Sequence, residues 1–110
     1  MSLAAALDAW AADKAALLSP MVVTRDPGIA PPVPYVFIDA PDAVLGAIGS
    51  LRMDIPVLLV GVNGDAKRSV DQLLALLPGV LAAFKTKSAG YQTHNDRPAY
   101  RLLVTPTITT

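Results

Sequence analysis

The sequence predicts an α+β domain, a small mixed β-sheet of four to five strands with two main helices packed on one face. Three observations carry that expectation. Ile55-Pro56-Val57-Leu58-Leu59-Val60-Gly61-Val62 is an apolar run of strand length that breaks at Asn63-Gly64-Asp65 and gives way to a helical pattern, which describes a strand lying beneath the helix that follows it. An alanine-rich stretch near the N-terminus has helical spacing. Near the C-terminus, Tyr100, Leu102 and Val104 alternate as one face of a strand does.

Taken in order, Leu3, Leu7, Trp10, Leu17 and Leu18 recur near helical spacing, so residues 2–18 form a first helix with Ser2 as its cap, Pro20 as its stop and Trp10 in the core. Met21 to Arg25 reads as a short strand closed by the turn Asp26-Pro27-Gly28. The prolines of Ala30-Pro31-Pro32-Val33-Pro34 cannot donate to a sheet, which puts this stiff segment at an edge or outside. Tyr35 to Asp39 is a second strand. Residues 40–53 are apolar but interrupted by Gly46 and Gly49, which argues against a helix and for a loop or loose hairpin arm that protrudes.

Beyond the 55–62 strand, Val70, Leu73, Leu74, Leu77, Val80, Leu81 and Phe84 recur three and four residues apart and draw one apolar stripe, with Asn63 or Asp65 as the cap. Pro78 lies off the stripe and removes the hydrogen bond to the Leu74 carbonyl, so the expectation is a kink, or two helices with Pro78 opening the second. Lys85 and Lys87 suit the negative end of the dipole. Ala89–Thr93 and Ala99–Thr105 form a hairpin across His94-Asn95-Asp96-Arg97-Pro98. The polar, β-branched tail Pro106–Thr110 is left frayed or borrowed by a partner. The resulting order is α-β-β-(arm)-β-α-β-β, with the arrangement of strands across the sheet undetermined.

A chain of 110 residues makes one domain, residues 1–110, that buries roughly 60–70% of the surface its unfolded form exposes. Nine basic residues balance nine acidic ones, so no global field draws the chain to nucleic acid or an anionic membrane. Cysteine is absent, which excludes disulfides and thiolate metal sites and leaves the redox compartment undecided. Asp8, Asp13 and Lys14 make the N-terminal segment neither a signal peptide nor a membrane span, so a soluble, unprocessed protein is expected. At 53% hydrophobic and 16% charged the chain is nonetheless apolar, since charged residues average about 25% of soluble domains. Part of that excess is expected to cover a partner surface.

Chemistry has few candidates. Gly61-Val62-Asn63-Gly64-Asp65-Ala66-Lys67-Arg68-Ser69 sits where a phosphate-binding loop would sit, but such a loop needs a glycine before its lysine and a hydroxyl after it, and here Ala66 and Arg68 take those places. His94 stands in a turn without companion ligands, nucleophile or oxyanion donors. Asp39, Asp42 and Asp54 suggest an acid cluster, yet turn chemistry accounts for them. Arg25, Arg52, Arg97 and Arg101 remain open between interface ion pairs, a phosphate track and solvated charge. Tyr91 and Tyr100 are divided between core and interface. No catalytic residue, cofactor or metal site is assigned.

The N-terminal helix, the strand ending in Arg25-Asp26-Pro27, the proline-led strand Pro31-Pro32-Val33-Pro34-Tyr35-Val36-Phe37-Ile38, the Ile55–Val62 strand, the Leu-rich helix and the closing Arg97-Pro98-Ala99-Tyr100-Arg101-Leu102-Leu103-Val104 together resemble the tail terminator proteins of long-tailed bacteriophages, particularly those of actinobacterial hosts. The resemblance covers nearly the whole chain. It implies a non-enzymatic virion protein, made in the host cytoplasm, that forms a hexameric ring on the head-proximal end of the tail tube. That ring stops tube polymerisation and offers the docking surface for the head's connector or stopper, while DNA slides through its lumen without specific binding and no membrane is involved. The family has no diagnostic site residue to carry over. Subunit or tube contacts are therefore assigned from the residues themselves: Val44, Leu45, Ile48, Leu51, Arg52 and Met53 of the arm, together with Arg25, Tyr91, Arg97 and Arg101. The alternatives are another phage neck protein, such as a stopper or completion protein, and a small ligand-binding domain using the Asn63-Gly64-Asp65 turn and Lys67.

Overall fold

The computed structural model of the chain describes residues 2–47 and 50–109. Helix α1 (Leu3–Leu18) starts where the Ser2 hydroxyl accepts from the Ala5 amide, and helix α2 (Ala66–Ala83) starts where the Asp65 carboxylate accepts from the Arg68 amide. Between and after them run β1 (Val23–Thr24), β2 (Tyr35–Ile38), β3 (Ala43–Ala47), β4 (Ser50–Val60), β5 (Gly90–His94), β6 (Arg97–Val104) and β7 (Thr107–Thr109). The seven strands follow the order β1-β2-β4-β6-β5, with β3 and β7 attached to β4 outside that path. Only β1 and β2 pair in parallel, so the sheet is mixed and the fold is α+β.

The strand number exceeds the expected four to five because the arm and the tail both join the sheet. β4 explains how. Its second half, Ile55 to Val60, lies between β2 and β6, and its first half, Ser50 to Asp54, lies between β3 and β7. On the β6 side, the register that pairs Ile55 with Val104 continues unshifted to pair Arg52 with Thr107. The Met53 amide donates to the Pro106 carbonyl at 3.0 Å, and only the proline's missing N–H divides β6 from β7. The tail, expected to be frayed or borrowed by a partner, instead pairs within the chain as a strand over Thr107–Thr109, and Ile108 is 8% exposed.

On the other side of β4 the register shifts. Ile38 pairs with Val57 but Ala43 pairs with Asp54, so residues 39–42 bulge opposite Ile55 and Pro56. The Pro56 carbonyl accepts from the Asp39 amide, and a residue's N and C=O point to the same side of a strand, so the Pro56 nitrogen faces this bulge. That is how a central strand tolerates proline. The main helices cover one face, burying Val36, Ile38, Val57, Leu59, Leu102 and Val104 against Leu7, Leu73, Val80 and Phe84.

Three helical expectations need correction. The buried side of α2 runs through Ser69, Leu73, Val80 and Ala83, with Leu76 packed beside it, while Leu74 is 46% exposed. The expected stripe otherwise holds, with Leu73, Val80 and Phe84 buried and Leu77 and Leu81 packed against the core, and it widens to take in small Ser69 and Ala83 in place of Leu74. Leu17 of α1 is 66% exposed, and Trp10 is half-buried, its ring edge-on to Phe84 at 5.6 Å. Finally, α2 runs through Pro78 as one element rather than two, because Pro78 and Leu74 both lie on its exposed side.

The last hairpin turns on two residues instead of five. Asn95 and Asp96, with φ of 51° and 63°, form the tight connection between His94 and Arg97. Asparagine and aspartate accept the left-handed conformation that the favoured hairpin turn demands at both positions.

Candidate functional site

The arm expected over residues 40–53 is a three-stranded ribbon, β3-β4-β7, extending the main sheet along its own strand direction. Eleven residues make β4 about 36 Å long, so it must lie close to the long axis of a molecule measuring 48 × 24 × 23 Å. At one end of that axis is the arm; at the other are Gly61 and the start of α2. Gly46 permits close packing within the arm, since a Cβ there would stand 3.3 Å from Leu51 Cδ2.

The two faces of the ribbon differ. On the helix side Leu51 stands opposite Ile108, and Met53 opposite Val44; Met53 is completely buried and Leu51 half-buried. Met53 is therefore a core residue, not a contact residue. On the other face Leu45 stands directly opposite Arg52. Leu45 is 58% exposed and Val44 46%, both on β3, whose outer edge is unpaired among the described residues. Ile48 lies outside the described residues.

The four arginines do not form a strip. Arg25 is ion-paired to Asp8 and also donates to the Ala4 carbonyl, fastening the end of β1 to α1. Arg97 is buried: its Nε donates to the Gly61 carbonyl, its Nη2 to the Val33 carbonyl at 3.2 Å, and its guanidinium lies over Tyr35. Arg101 reaches across the face of the sheet away from the helices to Asp42 of the bulge, at 3.3 Å. These two long side chains help to cover the second apolar cluster, Tyr35, Phe37, Leu58, Val60 and Ala99. Arg97 thus offers no contact surface, and Arg25 and Arg101 are committed within the chain. Arg52 is the exception, with a side chain 57% exposed and Asp54 no nearer than 3.9 Å. Tyr91, 55% exposed, packs edge-on to Tyr100 at 5.7 Å.

The phosphate-loop mimic is a capped turn. Ser69 Oγ donates to the Val62 carbonyl at 2.9 Å, and Lys67 pairs with Asp71 at 2.8 Å on the exposed side of α2. Asp26 accepts from the Gly28 amide and Asp39 from the Ala40 amide, the local bonds of turn carboxylates. No group of three potential metal ligands occurs among the described residues. His94 stacks on Phe37 at 5.4 Å.

Sequence reasoning missed a second apolar surface. Leu17, Leu18, Met21, Val33, Pro34 and Leu76 line an open groove of about 690 Å³ between the end of α1, the middle of α2 and the segment leading into β2. The signal was present in Leu17 and Val33, but assigning Leu17 to the buried stripe concealed it. No helix of the described residues is long and apolar enough to cross a membrane. Set against models of known protein families, curated proteins and solved structures, the chain finds no match.

Proposed function

We propose that this chain is a tail terminator, a non-enzymatic virion subunit that closes into a hexameric ring on the head-proximal end of a phage tail tube. The observation that carries the reading is the arm, a ribbon projecting from the core with exposed Val44, Leu45 and Arg52 and an open β3 edge. A projecting ribbon with apolar residues on an unpaired edge is a surface that calls for a neighbour. The sequence resemblance supplies the kind of neighbour: further copies of the chain, the tube protein and the connector or stopper above.

Termination in this reading is a matter of geometry. One face of the ring matches the axial interface of the tube while the opposite face lacks it, so a capped tube adds no further subunit and presents a docking surface to the head. DNA passes through the lumen without specific binding.

Electron microscopy of tubes assembled with and without the chain tests the proposal. Uniform lengths with density at one end are expected when it is present, and overlong tubes when it is withheld. Overlong tubes in both samples would refute it. Capture by portal-side proteins alone, without tube protein, would instead assign the chain to the neck.

A further inference from the structure

Resting on the reading of this chain as a ring subunit, we infer that the arm of one copy seats in the apolar groove of the next, with Leu45 and Arg52 meeting Leu17 and Asp13. Four observations place these surfaces in register. The first is position: Val33 and Pro34 of the groove lead into Tyr35, which pairs with Val60, whereas the arm surrounds Ser50 at the opposite end of β4. About 30 Å of strand separates them, so no chain can fill its own groove. A protrusion and a recess on different parts of the surface make a head-to-tail contact, the type that closes rings.

The second is chemistry. Leu45 on the ribbon and Leu17 at the groove are 58% and 66% exposed, the most exposed large apolar residues of their respective surfaces among the described residues. The third is shape: the groove is open rather than enclosed and bounded by two helices and a proline-stiffened segment, which suits a narrow ribbon.

The fourth is charge. Arg52 stands directly across the strand pair from Leu45 on the same face, a basic group beside an apolar one. Asp13 lies one helical turn before Leu17, an acidic group beside an apolar one. Asp13 is exposed and takes part in none of the ion pairs among the described residues, and Arg52 holds Asp54 only loosely. Docking leucine beside leucine therefore brings the unpaired Asp13 and the loosely held Arg52 towards each other, which fixes orientation as well as attraction.

The natural absence of cysteine makes the test direct. Chains carrying Leu45→Cys and chains carrying Leu17→Cys, both exposed and expected to melt with the parent, are mixed and treated with a short bis-maleimide. A covalent dimer joining one variant to the other is expected, with no dimer from either alone, and a chain carrying both substitutions should give a ladder of multimers. Arg52→Asp in the first chain should lower the yield about fivefold, and Asp13→Arg in the second should restore it. Linking of Leu45→Cys to itself would show symmetric arm pairing and overturn the inference, as would a yield indifferent to the charge reversals or no linking at all. The same preparations are scored for tube length. Linking without length control would retain the arm-to-groove contact and remove tube capping, and length control without linking would do the reverse.

Discussion

The Arg97 guanidinium lies across the ring of Tyr35, with Cζ 5.0 Å from the ring centroid, while its nitrogens hold the Gly61 and Val33 carbonyls. One buried side chain thus joins the end of β4, the segment before β2 and the start of β6. Arg97→Ala would leave the Gly61 carbonyl without that donor and uncover Tyr35, so a loss of about 3 kcal/mol is expected in urea unfolding. Arg97→Lys keeps the charge but not the planar fork and should lose roughly half as much.

Gly61 is wedged. A Cβ there would meet Leu73 Cδ1 at 3.1 Å and the Pro98 carbonyl at 3.2 Å, and that carbonyl already accepts from the Gly61 amide at 2.7 Å. Gly61→Ala cannot push Pro98 away without lengthening this bond. Destabilisation of about 1–3 kcal/mol is expected, read as a lower Tm.

Lys85 closes α2 in the left-handed conformation, with φ of 54°; its amide donates to the Ala82 carbonyl and that of Thr86 to the Leu81 carbonyl. This is a Schellman ending built without glycine. Lys85→Gly should stabilise the fold by about 0.5–1 kcal/mol, because relief of backbone strain exceeds the added freedom of the unfolded chain. The midpoint of denaturation checks it.

Ile108 anchors β7 under the arm, opposite Leu51. Ile108→Ala should cost about 2–3 kcal/mol. Faster amide exchange at residues 50–53 is expected before exchange in the rest of β4 rises.

Removing all of residues 40–53 would take away buried Met53 and four of the eleven residues of β4, so that deletion tests folding rather than assembly. Leu45→Asp is the sharper instrument. An exposed site should leave stability within about 0.5 kcal/mol, while tubes assembled with the variant should run overlong in electron microscopy.

The fold class, the two helices with the Ser2 cap, and the broad succession of elements are legible in the sequence, because hydrophobic period and capping residues are local signals; the second cap stays open there between Asn63 and Asp65, and two of the seven strands are not announced. What escaped was decided by tertiary neighbours. Nothing in Pro106-Thr107-Ile108-Thr109 announces that it continues the β6 register along β4, and Leu74 and Leu76 are equally apolar until a partner face chooses between them. The arm was found through its glycines and apolar residues, but its faces depend on pairing, which buried Met53 and exposed Leu45. Arg97 is buried over Tyr35 and Arg101 pairs with Asp42, placements the sequence does not announce, because a charged side chain that lies over a sheet looks, in sequence, like one that points to solvent.

The unshifted register of β6 and β7 along β4 determines how the molecule answers a pull. Tension applied at the tip along the strands is carried by ladder bonds lying crosswise to it and strained together in shear, instead of being peeled open one after another. In the proposed reading, a joint between a pressurised head and a long tail would gain in toughness from being fastened through such a ribbon.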